Sequence, residues 1–247
     1  MSDVSVSNKW KFNYDNYYEE GESEFRWLSA IGKVKNIVSL CNKYPHRNVL
    51  EIGSGEGSIL KKLSNLQFAE RLYSIEISKT AVETIRKRNI SLLEECKLFD
   101  GYNIPYENNK FDLVILSHVI EHLEYPRKIL YEASRVAEYV FVEVPLELNL
   151  RMKKDYVFDK VGHINFYSPI TIRKLIQTCD LEVLSQTVSN PNSKKILQYQ
   201  FGKKAFLLYL PIELLLRLIP NVATNLFTYD CSIVCKKKNG HQRVLSR

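Results

Sequence analysis

Along this chain the apolar residues alternate between two patterns: short continuous runs, and repeats at helical spacing. "NVLEI" reads as a short buried strand, and the following "EGSILKKLSNL" places Ile59, Leu60, Leu63 and Leu66 on one side of a helix. "RLYSIEI" is a second strand, and "SKTAVETIRKRN" is a helix with Ser78 as its N-cap. "CKLFD" is a short third strand. "FDLVILSHV" is a continuous apolar run, as expected for a central parallel strand covered on both faces. "PRKILYEASRVA" is a helix with Pro126 in its first turn, and "YVFVEV" is the next strand. This alternation of strand and helix predicts an α/β fold with a Rossmann-like, doubly wound, mainly parallel sheet and helices on both faces.

The rhythm changes after Pro145. "LELNLRMKKDYVFDKVGHINFY" has no clear period and reads as a long excursion, a kind of segment that in compact domains is usually functional or mobile. "SPITIRKLIQTCD" starts a helix, with Ser168 as cap and Pro169 just inside, and "LEVLSQTV" and "LFTYDCSIVCKKK" read as two late strands. Between these strands lies "KKAFLLYLPIELLLRLIP", the most apolar stretch, interrupted by Pro211, Glu213 and Arg217 and too short to span a bilayer. Packing into the domain beside the ligand site is the favoured placement, with peripheral membrane contact as the alternative. The N-terminal "YDNYYEEGESEFRWLSAIGKVKNIVSLC" is aromatic, then helical, and is expected to cover the sheet edge or the site. The whole is read as one domain over 1–247: a helical cap at 1–46, a cofactor-binding core at 47–145, an acceptor-side excursion with the final strands at 146–235, and a basic tail at 236–247.

Charge adds an asymmetry. The net charge of +7 divides into 15 Lys/Arg against 6 Asp/Glu from Lys153 onward, and 20 against 22 before it. A basic second half suits an anionic substrate, nucleic acid or a membrane surface, although a merely solubilising surface with a loose tail explains it as well. The five cysteines are scattered and odd in number, with no C-x-x-C pair, and read as core thiols of a reducing compartment. "MSDVSVSNKWKF" carries no secretory apolar segment, so a cytoplasmic location is expected.

The chemistry is concentrated in "VLEIGSGEGSIL". Gly53, Gly55 and Gly57 follow the first strand within five residues, in a chain holding only 9 glycines. Glycines there allow a tight turn and leave backbone N–H groups open to a ligand at a helix start. The spacing is G-x-G-x-G rather than the dinucleotide pattern G-x-G-x-x-G. Glu76 ends the second strand, where a carboxylate can accept both hydroxyl hydrogens of a ribose. Asp100 follows the third strand in "LFDG", in reach of an adenine amino group. "FDLVILSHVIEHLEYP" brings polar residues to the carboxyl edge, where ligands of open α/β sheets bind.

This set resembles the class I S-adenosylmethionine-dependent methyltransferases, motif by motif over about 48–145 and more loosely to about 185. The resemblance implies S-adenosyl-L-methionine as cofactor. It implies that Glu51 and the Gly53–Gly57 loop hold the methionine part, Glu76 the ribose and Asp100 the adenine region, with Ile77, Gly101 and Ser117 also in contact. "LSHVIEHL" looks like the corresponding segment of the ubiquinone and sugar O-methyltransferases. An Asn/Asp-Pro-Pro-Tyr motif after the fourth strand, common in amide and base methylation, is replaced by Ser117-His118-Val119-Ile120, which leans toward oxygen as the acceptor atom.

A hydroxyl nucleophile must lose a proton, and a base of near-neutral pKa helps. His118 and His122 fall just beyond the fourth strand, and the resemblance places the loop of His163 over the acceptor; these three are the candidate catalytic residues. A second reading makes His118, Glu121, His122 and His163 a divalent-metal set. The resembling metal-using enzymes have Glu-x-x-Glu-His at this place, and here His118 occupies the first position, so no metal is expected and Glu121 is expected to start a short helix. The function expected is O-methylation of a small hydroxylated acceptor such as a sugar, sugar-nucleotide or glycan intermediate. The alternatives are an RNA 2′-O-methyltransferase, disfavoured because no basic-aromatic RNA motif is visible, and an inactive cofactor-binding partner protein.

Overall fold

A computed structural model describes residues 15–18, 23–155 and 162–238. Helix α1 (Ser23–Cys41) leads into the alternation: β1 (Asn48–Ile52), α2 (Ser58–Asn65), β2 (Arg71–Glu76), α3 (Lys79–Lys87), β3 (Leu93–Leu98), β4 (Phe111–Ser117), α4 (Pro126–Val136) and β5 (Ala137–Pro145). Then come α5 (Pro169–Gln177), β6 (Leu181–Ser189), α6 (Lys194–Phe201), α7 (Tyr209–Leu218), α8 (Pro220–Leu226) and β7 (Asp230–Lys237). The strands form one sheet in the order β3-β2-β1-β4-β5-β7-β6. β1 to β5 run parallel, and β7 is antiparallel to both β5 and β6. The chain winds outward from β1 in both directions, so the β1/β4 junction is the switch point where ligands of such sheets bind.

Successive strand residues point to opposite faces. Val49, Leu113, Ile115 and Phe141 pack under α1, α2 and α3, against Val34, Ile37, Leu60, Leu63, Val82 and Ile85. Leu50, Ile52, Val114, Leu116, Val140 and Val142 pack on the other face under α4 and α5, against Ile129, Ala133, Ile172 and Ile176. Each central strand is therefore apolar on both faces, which explains the continuous runs in the sequence.

The predicted caps form. Ser78 Oγ accepts from the Ala81 N–H at 3.2 Å, and Ser168 makes a capping box with Thr171 ahead of Pro169. Leu66 departs from its expected buried side: α2 ends at Asn65, and Leu66 is its C-cap, 60% exposed. The short helices α6 and α8 are not announced by any apolar period. The basic tail read at 236–247 starts inside β7, and 239–247 lie outside the described residues, as do 1–14. All five cysteines are free and buried. Among the described residues no helix is long and apolar enough to cross a membrane.

Candidate active site

The carboxyl ends of β1, β2, β4 and β5 open into a cavity of about 620 Å³. One end is walled by the glycine loop, Glu51, Glu76, Ile77, Phe99, Gly101 and Tyr102, and the other by His118, His122, Glu147, His163 and Asp230, with Ser117 and Val119 between. The N-terminal segment adds Tyr18, Phe25, Arg26 and Lys33.

At the first end, the Gly53 N–H donates to the Ile75 carbonyl at 2.9 Å, closing the turn after β1. Gly55 has φ +53°, and a Cβ there would stand 2.7 Å from the Tyr18 hydroxyl, so this stretch of backbone faces the cavity without a side chain. Gly57 does a different job. It does not line the cavity; it caps α2 at φ +79°, where a Cβ would meet Ile85 Cγ1 at 3.0 Å, and it serves close packing of α2 on α3. Glu51 lines the cavity at 2% exposure with its Oε2 unpartnered among the described residues, and burial pushes its carboxyl well above the ordinary range. Glu76 holds the loop: Oε2 accepts from the Gly55 N–H at 2.8 Å, and Oε1 accepts from Ile77 and Ser78 at 2.7 and 3.1 Å. Burial raises its pKa, while these donors pull it back.

The structure does not bring Asp100 to the cavity. Its Oδ1 accepts from the Tyr102 and Asn103 N–H groups at 2.8 and 2.7 Å, and its Oδ2 from the Asn103 side chain, so it caps the turn that presents Phe99, Gly101 and Tyr102 instead. An adenine there would meet aromatic rings and backbone rather than that carboxylate. A bare backbone loop, an orphaned buried carboxylate oxygen and an acid at the end of β2 fit the donor and acceptor pattern of S-adenosylmethionine.

At the second end all three predicted histidines converge. His118 directly follows β4 in the left-handed region, φ +57°, its N–H donating to the Glu143 carbonyl at 2.9 Å. This uncommon backbone turns its ring into the cavity. Its Nδ1 lies 3.6 Å from Glu121 Oε1, and its Nε2 lies 3.4 Å from Asp230 Oδ1 and 3.8 Å from Glu143 Oε1. His122 and His163 have ring centroids 4.7 Å apart, and His163 Nδ1 lies 2.7 Å from Glu147 Oε2. Glu121 sits in a short 3-10 turn (Ile120–His122), fully buried, with neither carboxylate oxygen hydrogen-bonded among the described residues. Burial pushes Glu121 and Asp230 up to about 7 and holds His118 and His122 below their ordinary range, so both imidazoles are neutral at pH 7. Ligand atoms of Glu121, His122 and His163 all lie within 4.8 Å of one another, and so do those of His118, Glu143 and Asp230. In the second group Glu143 is already satisfied, by Asn36, Ser117 and Ser232 at 2.8, 3.0 and 2.6 Å.

Sequence reasoning missed Glu147, Asp230 and Lys33. Asp230 opens the antiparallel β7, whose start therefore lies at the carboxyl edge opposite Pro145. Of the basic residues of the second half, Lys194, Lys195, Lys203 and Lys204 are exposed and outside the cavity wall; the basic side chains that line it are Arg26 and Lys33.

A family profile described as "Methyltransferase domain" matches residues 50–138, the stretch that carries the glycine loop, Glu76, Ser117, His118 and His122. Residues 50–138 are thus similar to the methyltransferase domains of S-adenosylmethionine-dependent enzymes. The chain is 27% identical over 133 residues to protein MJ1123 of Methanocaldococcus jannaschii, covering 54% of this chain and 56% of that protein. It is 30% identical over 96 residues to the mitochondrial ubiquinone biosynthesis O-methyltransferase of Candida albicans, covering 36% of this chain and 29% of that enzyme. The chain spans about half or less of the length of the curated relatives it matches, and these include N- as well as O-methyltransferases. A chain of the complex between the Haloferax volcanii Trm112 methyltransferase activator and a methyltransferase superposes with a TM-score of 0.65 at 14% identity, covering 95% of this chain and 100% of that one, which shows the shared fold.

Proposed function

We propose that this chain methylates a hydroxyl oxygen of a small, polyhydroxylated acceptor, using S-adenosylmethionine. The observation that carries the reading is the His163–Glu147 pair at 2.7 Å, in one cavity with the glycine loop. When bound, the cofactor supplies a sulfonium-activated methyl and leaves as a neutral thioether. The remaining demands are alignment and removal of one proton. Glu147 accepts from His163 Nδ1 and so sets Nε2 as the basic nitrogen. It also stabilises the imidazolium formed when His163 takes the acceptor's proton, the arrangement of a base oriented by a third group. His118 and His122, kept neutral by burial, offer hydrogen bonds that position the acceptor. Glu147, paired with His163, and the buried Asp230 suit neighbouring hydroxyls of the acceptor.

The test uses methyl-labelled S-adenosylmethionine with panels of catechols, sugars, sugar nucleotides and amines. Transfer to a hydroxyl compound is expected, with kcat lowered about 10²–10⁴-fold in His163→Ala and cofactor affinity unchanged, the usual range for loss of a general base. Labelling of amines alone would sink the oxygen reading.

The geometry of Glu121, His122 and His163 favours a second reading of the same site, a divalent cation that lowers the hydroxyl's pKa in place of a base. Activity that is abolished by EDTA and restored by Mg²⁺, Mn²⁺ or Zn²⁺ would select it; activity that survives EDTA would select the base.

A further inference from the structure

The segment between α6 and β7 is apolar on two opposite sides. On α7, Ile212, Leu215 and Leu216 are partly buried against the core. The buried Tyr229 hydroxyl donates to the Ile212 carbonyl at 3.0 Å and pins the helix down. The other side carries Leu210, Leu214 and Leu218, spaced four apart and 66%, 55% and 69% exposed. Leu207, just ahead of α7, extends this stripe at 61% exposure, and Phe201 at the end of α6 is 69% exposed. No residue of α7 is fully buried. A contiguous leucine stripe of this kind marks an interaction surface rather than scattered surface residues.

The charges around the stripe have one sign. Residues 191–229 hold five Lys/Arg (Lys194, Lys195, Lys203, Lys204, Arg217) against one acid, Glu213, which is tied to Arg217 at 3.2 Å. Lys203 and Lys204 immediately precede the stripe and are exposed, and Lys194 Nζ stands 5.8 Å from the Tyr209 ring at the start of α7. We propose that the outer face of α7, with its lysine rim, docks on an anionic lipid membrane surface. The leucines enter the headgroup–acyl boundary and the lysines meet lipid phosphates, the arrangement of an interfacial helix. A soluble protein partner or a second copy of this chain would call for acids around the stripe as well as bases, and the rim supplies almost none. Residues 191–229 adjoin the cavity through Asn192, Gln200 and Thr228, so docking brings the acceptor end near the bilayer.

Co-sedimentation of the full chain with vesicles tests this without any methyl transfer, so its outcome is separate from that of the proposed reaction. Phosphatidylcholine vesicles containing phosphatidylglycerol should bind the protein, and pure phosphatidylcholine vesicles should bind it at least about tenfold more weakly, since each lysine near an anionic surface contributes on the order of one factor of five. Leu210→Asp/Leu214→Asp should abolish binding with unchanged Tm, and Lys203→Glu/Lys204→Glu should weaken it and remove its salt dependence. Absence of binding by the wild type, equal binding by the leucine variant, or a salt-stable dimer in sedimentation that the leucine variant dissociates would each overturn the proposal. A leucine variant that fails to fold would also overturn it, because the stripe would then be a packed face.

Discussion

Glu121 shows how a single residue ties the site to stability. Its carboxylate is fully buried, faces two neutral imidazoles and is pushed up from 4.5 to about 7. A folded-state pKa above the unfolded one means that the fold prefers the protonated form. That contribution is fully present below the unfolded value and is lost as pH rises through about 7. Glu121→Gln keeps the shape and removes the titration. The variant should therefore match wild type near pH 5 and exceed it by about 3 kcal/mol near pH 8, as read from denaturant midpoints in the presence of EDTA. An equal difference at both pH values would show that the carboxylate is not held in its neutral form. His118 is the second residue of this kind, an imidazole kept at φ +57° where glycine would be at ease. His118 and His122 were legible because they stand within a few residues of a strand end, and His163 through the resemblance alone. Their carboxylates were not, since Glu147 and Asp230 are separated from them by long stretches of chain.

Among the elements, the turn from β1 into α2 divides its glycines between two tasks. Gly55 keeps the loop bare toward the cavity, while Gly57 lets α2 approach Ile85 on α3. Gly55→Val should leave a folded domain that no longer binds S-adenosylhomocysteine in calorimetry, because its branched side chain occupies the approach path. Gly57→Ala should retain binding and lose about 1–2 kcal/mol of stability, from a left-handed backbone and a tight contact. Loss of binding in Gly57→Ala with no loss of stability would reverse this division. The glycine spacing was readable as a ligand loop, but the sequence treats the three glycines alike. Only the packing of α2 on α3 separates them. Asp100 teaches the same lesson: its position after β3 suggested a ligand contact, and a local turn uses up its acceptors.

For the whole molecule, α1 closes one face of the sheet and one wall of the cavity. Its Ala30, Val34, Ile37 and Leu40 cover Val49, Leu60 and Leu63, and its Asn36 amide joins Glu143 and Ser189 at 2.8 Å each. A chain lacking residues 1–41 should expose that apolar face and aggregate, rather than persist as a folded but inactive core. A soluble truncated protein with native circular dichroism and an intact cooperative melt would show that α1 is only a lid.

The sequence by itself determined the alternation of strands and helices, the burial of β1, β4 and β5 on both faces, the helix caps at Ser78 and Ser168, and the loop that faces the cofactor end. Periodicity, capping and glycine conformation depend on residues a few positions apart, and such information survives in a linear string. Tertiary structure decided which carboxylates meet the histidines, that Asp100 is held in a local turn, and which face of α7 is left uncovered. The reason is sheet order: β4 lies beside β1, and the antiparallel β7 inserts between β5 and β6, so Asp230 comes to the carboxyl edge from more than a hundred residues beyond His118. No local preference encodes that distance. It follows only from burying every apolar face of the chain at once.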